Sequence, residues 1–143
     1  MSPIALERLL LLTMPPDQPT VAARRRVLVV DDHAPSAEMV AEILTLEGYE
    51  VQIAHSASQA MEEAQRFSPL VIILDIGLPD EDGFEVARKI KSHNELQQIR
   101  LIALSGYGQS QYPRRAREAG FERYLVKPVD LDELLALVRE LAG

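Results

Sequence analysis

The sequence predicts an α/β fold, a doubly wound five-stranded parallel sheet with helices on both faces. Three observations carry this. Five apolar runs alternate with five stretches of helical periodicity, with no internal repeat. Three of the runs, around residues 27–30, 70–74 and 101–104, are almost continuously apolar, as strands buried on both faces must be. Chemically active side chains, Asp31, Asp32, Asp75, Ser105 and Lys127, stand just past the ends of such runs.

Taken in order, residues 4–14 favour a short helix through Leu, Ala, Glu and Arg. Pro15, Pro16 and Pro19 then mark a linker, and Arg24, Arg25 and Arg26 form the solvated edge of the compact domain. We therefore divide the chain into an extension, 1–25, and one domain, 26–143. Strands are expected at 27–30, 51–54, 70–74, 101–104 and 124–126, and helices at about 36–47, 58–66, 84–91, 113–119 and 131–141. The first helix places Met39, Val40, Ile43 and Leu44 on one face, and Gly48 supplies its stop. The last gathers Leu131, Leu134, Leu135 and Val138, with Asp130 as N-cap and Glu133 at capping-box spacing. The acidic loop 78–83 is expected to be solvated, with Gly83 allowing a positive φ and Phe84 entering the core.

Composition removes several classes of function. A length of 143 residues suits one domain with a proper core. A net charge of −7 argues against nucleic acid as a partner, since such binding rests on basic surface. Without cysteine there is neither a disulfide framework nor a thiolate metal site. His33, His55 and His93 lack metal-ligand spacing. The apolar stretch 9–12 is too short to span a bilayer and lacks the positive start of a secretory signal, so no membrane association and a cytoplasmic location are expected.

The strand ends suggest chemistry. Parallel sheets collect their strand termini along one edge, which brings Asp31, Asp32 and Asp75 into one crevice. Singly, each acid reads equally well as a turn or cap residue. Together they repel unless a hard cation sits among them, and magnesium suits such oxygen ligands. Ser105, before Gly106, places a hydroxyl where a phosphoryl oxygen can receive it. Lys127, between an apolar run and Pro128, offers an ammonium to the same group.

Four segments then fall into a pattern: Val-Leu-Val-Val-Asp-Asp at 27–32, Leu-Asp-Ile-Gly-Leu-Pro-Asp-Glu-Asp-Gly at 74–83, Ala-Leu-Ser-Gly-Tyr at 103–107 and Tyr-Leu-Val-Lys-Pro at 124–128. In this order the chain resembles the receiver domain of two-component response regulators, from about residue 26 to residue 141. The resemblance implies a flavodoxin-like sheet and a phosphorelay function, with Asp75 accepting a phosphoryl group from a histidine kinase or histidine phosphotransfer protein. It implies that Asp31, Asp32, Asp75 and the backbone carbonyl of Gly77 bind Mg2+. It further implies that Ser105 and Lys127 hold the phosphoryl oxygens, that Tyr124 changes rotamer with Ser105, and that Pro128 follows a cis peptide. Such a domain is not an enzyme in the usual sense; it assists its own phosphorylation and dephosphorylation, and switches partner binding. Gly77 and Tyr107 would flank the attacking water, which implies slow phosphate loss.

Two other readings remain at this point. The chain also fits a receiver cut from a hybrid histidine kinase. A magnesium-dependent phosphatase with an aspartate nucleophile uses similar groups, but its Asp-x-Asp pattern is absent after the first strand. The apolar positions Ile4, Leu9, Leu10 and Leu12 need cover, which points to docking of the extension on the domain or to a homodimer through it.

Overall fold

A computed structural model of the chain describes residues 25–106 and 112–142, Tyr112 by its backbone alone. Residues 1–24 of the expected extension, Tyr107 and Gly143 lie outside the described residues. Five strands alternate with five helices: β1 (Arg26–Val30), α1 (Ala34–Leu46), β2 (Glu50–Ala54), α2 (Ala57–Phe67), β3 (Val71–Asp75), α3 (Gly83–Ser92), β4 (Arg100–Ser105), α4 (Tyr112–Ala119), β5 (Arg123–Val126) and α5 (Leu131–Ala142). All strand pairs are parallel, in the order β2-β1-β3-β4-β5. The chain moves outward from β1 to β2, then crosses back to β3 on the other side. That reversal opens a crevice between the C-terminal ends of β1 and β3, where ligands of open α/β sheets bind. Each strand and helix expected after residue 26 is present, its ends within two residues of the expected limits, and the helix expected at 4–14 lies outside the described residues.

The continuous apolar runs explain the central position of β1, β3 and β4. Alternate residues of each strand feed opposite cores, as the twofold side-chain period requires. Leu28, Val30, Ile72, Leu74, Leu101 and Ala103 pack under α2, α3 and α4. Val27, Val29, Val71, Ile73, Ile102 and Leu104 pack under α1 and α5. On α2 the small buried residues Ala57, Ala60 and Ala64 let the helix approach the sheet closely.

Local signals set the helix ends. Gly48 follows α1 with φ +96°, and Arg25 lies across it, donating to its carbonyl at 2.9 Å. Asp130 caps α5 by accepting the Glu133 N–H at 3.2 Å. Two expectations are corrected. Gly83 does not have a positive φ; a Cβ there would lie 2.4 Å from the Ile76 Cα, so close approach of α3 to the end of β3 is what demands glycine. Nor is the acidic loop simply solvated. Asp82 caps α3 through the Phe84 N–H at 2.9 Å, Asp80 accepts the N–H groups of Ala57 and Ser58 at the start of α2, and Leu78 is buried. No helix among the described residues is long and apolar enough to cross a membrane.

Candidate functional site

Register places the site. Val30 pairs with Leu74, so Asp31 and Asp75 end adjacent strands side by side. Asp75 pairs with Leu104, and Ser105 with Val126, which puts Ser105 and Lys127 on the same edge. Asp31, Asp32 and Asp75 each bring a carboxylate oxygen within 4.8 Å of the others. Lys127 closes the group: its Nζ donates to Asp75 Oδ2 at 2.8 Å and to Asp31 Oδ2 at 3.2 Å. The second oxygen of each buried acid also has a donor, the His33 N–H for Asp31 and the Gly77 N–H for Asp75. Asp32 is exposed and accepts nothing from the other described residues.

Three carboxylates against one ammonium leave excess negative charge in a largely buried pocket. Only 2% of Asp31 and 6% of Asp75 is exposed. Burial pushes the Asp31 carboxyl above its ordinary value of 3.8 and the Asp75 charge adds to the rise, against the lowering effects of the His33 N–H and Lys127. Burial alone would lower the Lys127 ammonium, but its bonds and attraction to Asp75 and Asp31 prevail and hold it above 10.5. The donor set consists of hard carboxylate oxygens, with room for waters on the exposed Asp32 side. That composition suits a small divalent cation such as magnesium rather than a soft metal.

Ser105 is fully buried at the end of β4. Its Oγ lies 2.5 Å from the Tyr124 hydroxyl and donates to the Gly106 carbonyl at 3.1 Å. The Tyr124 ring packs against the α2–α3–α4 core. A Cβ at Gly106 would meet nothing within 4 Å among the described residues.

The response regulator receiver domain family model matches residues 27–139. The chain belongs to this family. It is 34% identical over 116 residues to the DNA-binding dual master transcriptional regulator RpaA of Synechocystis sp., covering 81% of this chain and 48% of that protein. It is 27% identical to the polar-differentiation response regulator DivK of Brucella ovis, covering 83% of this chain and 97% of that one. Among solved structures, the CheY-like receiver domain of Methanospirillum hungatei JF-1 superposes with a TM-score of 0.77 at 30% identity, covering 82% and 93% of the two chains. The family is one of signalling domains in two-component systems, which displaces the phosphatase reading.

In this receiver Asp31, Asp32, Asp75, Ser105 and Lys127 stand at one sheet edge, with the cis Lys127–Pro128 peptide beside them. Other contributors carried weaker signals. His33, not an acid, caps α1: its Nδ1 accepts the Ser36 N–H at 3.3 Å. His55 places Nδ1 3.0 Å from the Asp31 carbonyl. Asp80 ties the β3–α3 loop to α2, and those two N–H bonds hold its carboxyl below the ordinary 3.8. A cavity of about 200 Å³ beside the acids is lined by Asp31, Ser36, Met39, Lys127, Pro128 and Val129, among others.

Proposed function

We propose that the receiver, residues 26–143, accepts a phosphoryl group on Asp75 from a phosphohistidine of a histidine kinase or phosphotransfer protein, and that residues 1–25 form a separate extension. The supporting observation is the Lys127 ammonium held by both Asp31 and Asp75 within a cluster of three acids. An Asp75 carboxylate oxygen attacks phosphorus as the P–N bond breaks. The electron pair leaves on the imidazole nitrogen, and an acyl phosphate remains on Asp75. Lys127 is already in hydrogen-bond contact with Asp75 and turns its ammonium to the incoming phosphoryl oxygens. Ser105 donates its hydroxyl to another of these oxygens, exchanging its present acceptor for the phosphoryl group. Asp31, Asp32, Asp75 and the Gly77 carbonyl would hold Mg2+, which supplies positive charge to the transferring group.

Ser105 also couples the site to the surface. The Ser105–Tyr124 contact belongs to the unphosphorylated state, so its loss frees the Tyr124 ring to take a second rotamer. The face built by α4, β5 and α5 then reports phosphorylation to a protein partner. The net charge of −7 speaks for a protein rather than DNA as the contact of this domain. Incubation with a small-molecule phosphodonor and Mg2+ tests the reading. Wild type takes up acid-labile phosphate, Asp75→Asn takes up none and Asp31→Asn a weak remainder. Mass spectrometry placing the phosphate on any other residue would overturn the assignment.

A further inference from the structure

The outer face of α1 carries apolar side chains that the described fold leaves uncovered. Leu46 is 80% exposed and Met39 49%. Seven residues apart, they share one stripe of the helix, with half-buried Ile43 between them. The stripe is roughly 10 Å long by helical rise. Glu38 and Glu42 border it, and α1 has no basic residue. Single exposed apolar residues are ordinary, but an aligned set on one helix face invites cover.

The chain enters the fold at this same helix. Arg25 donates to the carbonyls of Glu47 and Gly48, immediately after α1, and its guanidinium stacks 5.8 Å from the centre of the Tyr49 ring. Residues 1–24 therefore join the domain next to Leu46. Within them, residues 4–12 (Ile-Ala-Leu-Glu-Arg-Leu-Leu-Leu-Leu) have only Glu7 and Arg8 as polar side chains. A segment so apolar has strong reason to leave water. Residues 15–24 link it to Arg25, and ten extended residues reach about 33 Å, ample for a stripe lying beside the point of attachment.

We infer that residues 4–12 dock as an apolar helix on the Met39–Ile43–Leu46 stripe of α1 in their own chain. A short linker gives the segment an effective concentration of about millimolar at this face, which favours the same chain over a second copy at ordinary protein concentrations. Pro15 and Pro16 directly after the segment disfavour any continuation of such a helix.

The absence of native cysteine makes the test clean. The full chain carrying Thr13→Cys is labelled with a nitroxide and its amide NMR signals are followed. Signals from Met39, Ile43 and Leu46 are expected to lose most of their intensity, while those of α2 and α4 keep theirs. Leu9→Asp with Leu10→Asp in the labelled chain is expected to restore them. Mixing nitroxide-labelled chains of natural isotope content with unlabelled ¹⁵N chains is expected to leave the ¹⁵N signals intact. Loss in that mixture would assign the stripe to a second copy and overturn docking within the chain. Loss centred on α4 and Val126, or no loss anywhere, would overturn the choice of surface. Met39 and Leu46 are exposed, so Met39→Ser with Leu46→Ser keeps the fold and is expected to abolish the effect.

Discussion

Replacing Asp32 with Asn removes one of three clustered charges without disturbing the core, since this side chain is exposed and accepts no hydrogen bond from the other described residues. Its carboxylate lies within 4.8 Å of those of Asp31 and Asp75. Two unit charges at that separation repel by about 1 kcal/mol in a water-like dielectric and about 3.5 kcal/mol at an effective dielectric of 20. Exposure selects the lower figure. The two neighbouring acids are opposed by the single Lys127 ammonium, so about one uncancelled repulsion remains. In EDTA, Asp32→Asn is therefore expected to unfold about 1 kcal/mol later than wild type in urea, followed by circular dichroism. Magnesium reverses the order. A cation at ten times its dissociation constant stabilises the native state by about 1.4 kcal/mol, and the variant forfeits most of that gain. Sodium chloride at matched ionic strength controls for plain screening. If the variant is no more stable in EDTA, or gains as much from magnesium as wild type, the three acids do not form the cation site.

Lys127→Met leaves Asp31 and Asp75 without their shared ammonium and is expected to cost about 3 kcal/mol at neutral pH. The raised Asp31 carboxyl sets the pH window: protonation favours the folded state, so the deficit shrinks as pH falls toward 3.8, and a pH-independent deficit in urea titrations would contradict this. In wild type, the raised Lys127 contributes stability that is present below 10.5 and lost as pH climbs through its folded value. Tyr124→Phe removes the Ser105–Tyr124 contact that the proposed switch gives up on phosphorylation; stability is expected to fall by about 1 kcal/mol and affinity for a beryllofluoride phosphate mimic to rise about fivefold, both readable by titration. Gly83→Ala tests close approach against propensity: alanine favours helices by up to ~1 kcal/mol, but a Cβ 2.4 Å from the Ile76 Cα is expected to destabilise by about 2 kcal/mol in the same urea assay, and a stabilised variant would refute the close approach.

The sequence made the sheet readable because β1, β3 and β4 are buried on both faces and must be apolar throughout. The same logic exposed the site, since a charged residue directly after such a run can only lie at a strand end. Asp31, Asp75 and Lys127 converge for that reason. Less legible were features that depend on what stands opposite a residue. Gly83 looked like a turn glycine, yet its role is set by Ile76, seven positions earlier in the chain but in contact with it in space. Asp80 looked like one more charge in an acidic loop; its partners, Ala57 and Ser58, belong to another helix. His33, rather than an acid, caps α1 with its ring nitrogen, while its own N–H goes to Asp31.

The sheet divides the interior into two cores that share no side chain. Tyr124 belongs with Ala103, Ala116 and Phe121 on one side, whereas Leu125 and Leu104 sit with α1 and α5 on the other. A ring that moves at Tyr124 repacks its own side first, and the interlocked strands shield the opposite one. The molecule thus has two surfaces that can be addressed separately. A segment resting on α1 and a repacking around Tyr124 therefore act on different cores, so one small domain can be held on one side while the other side rearranges.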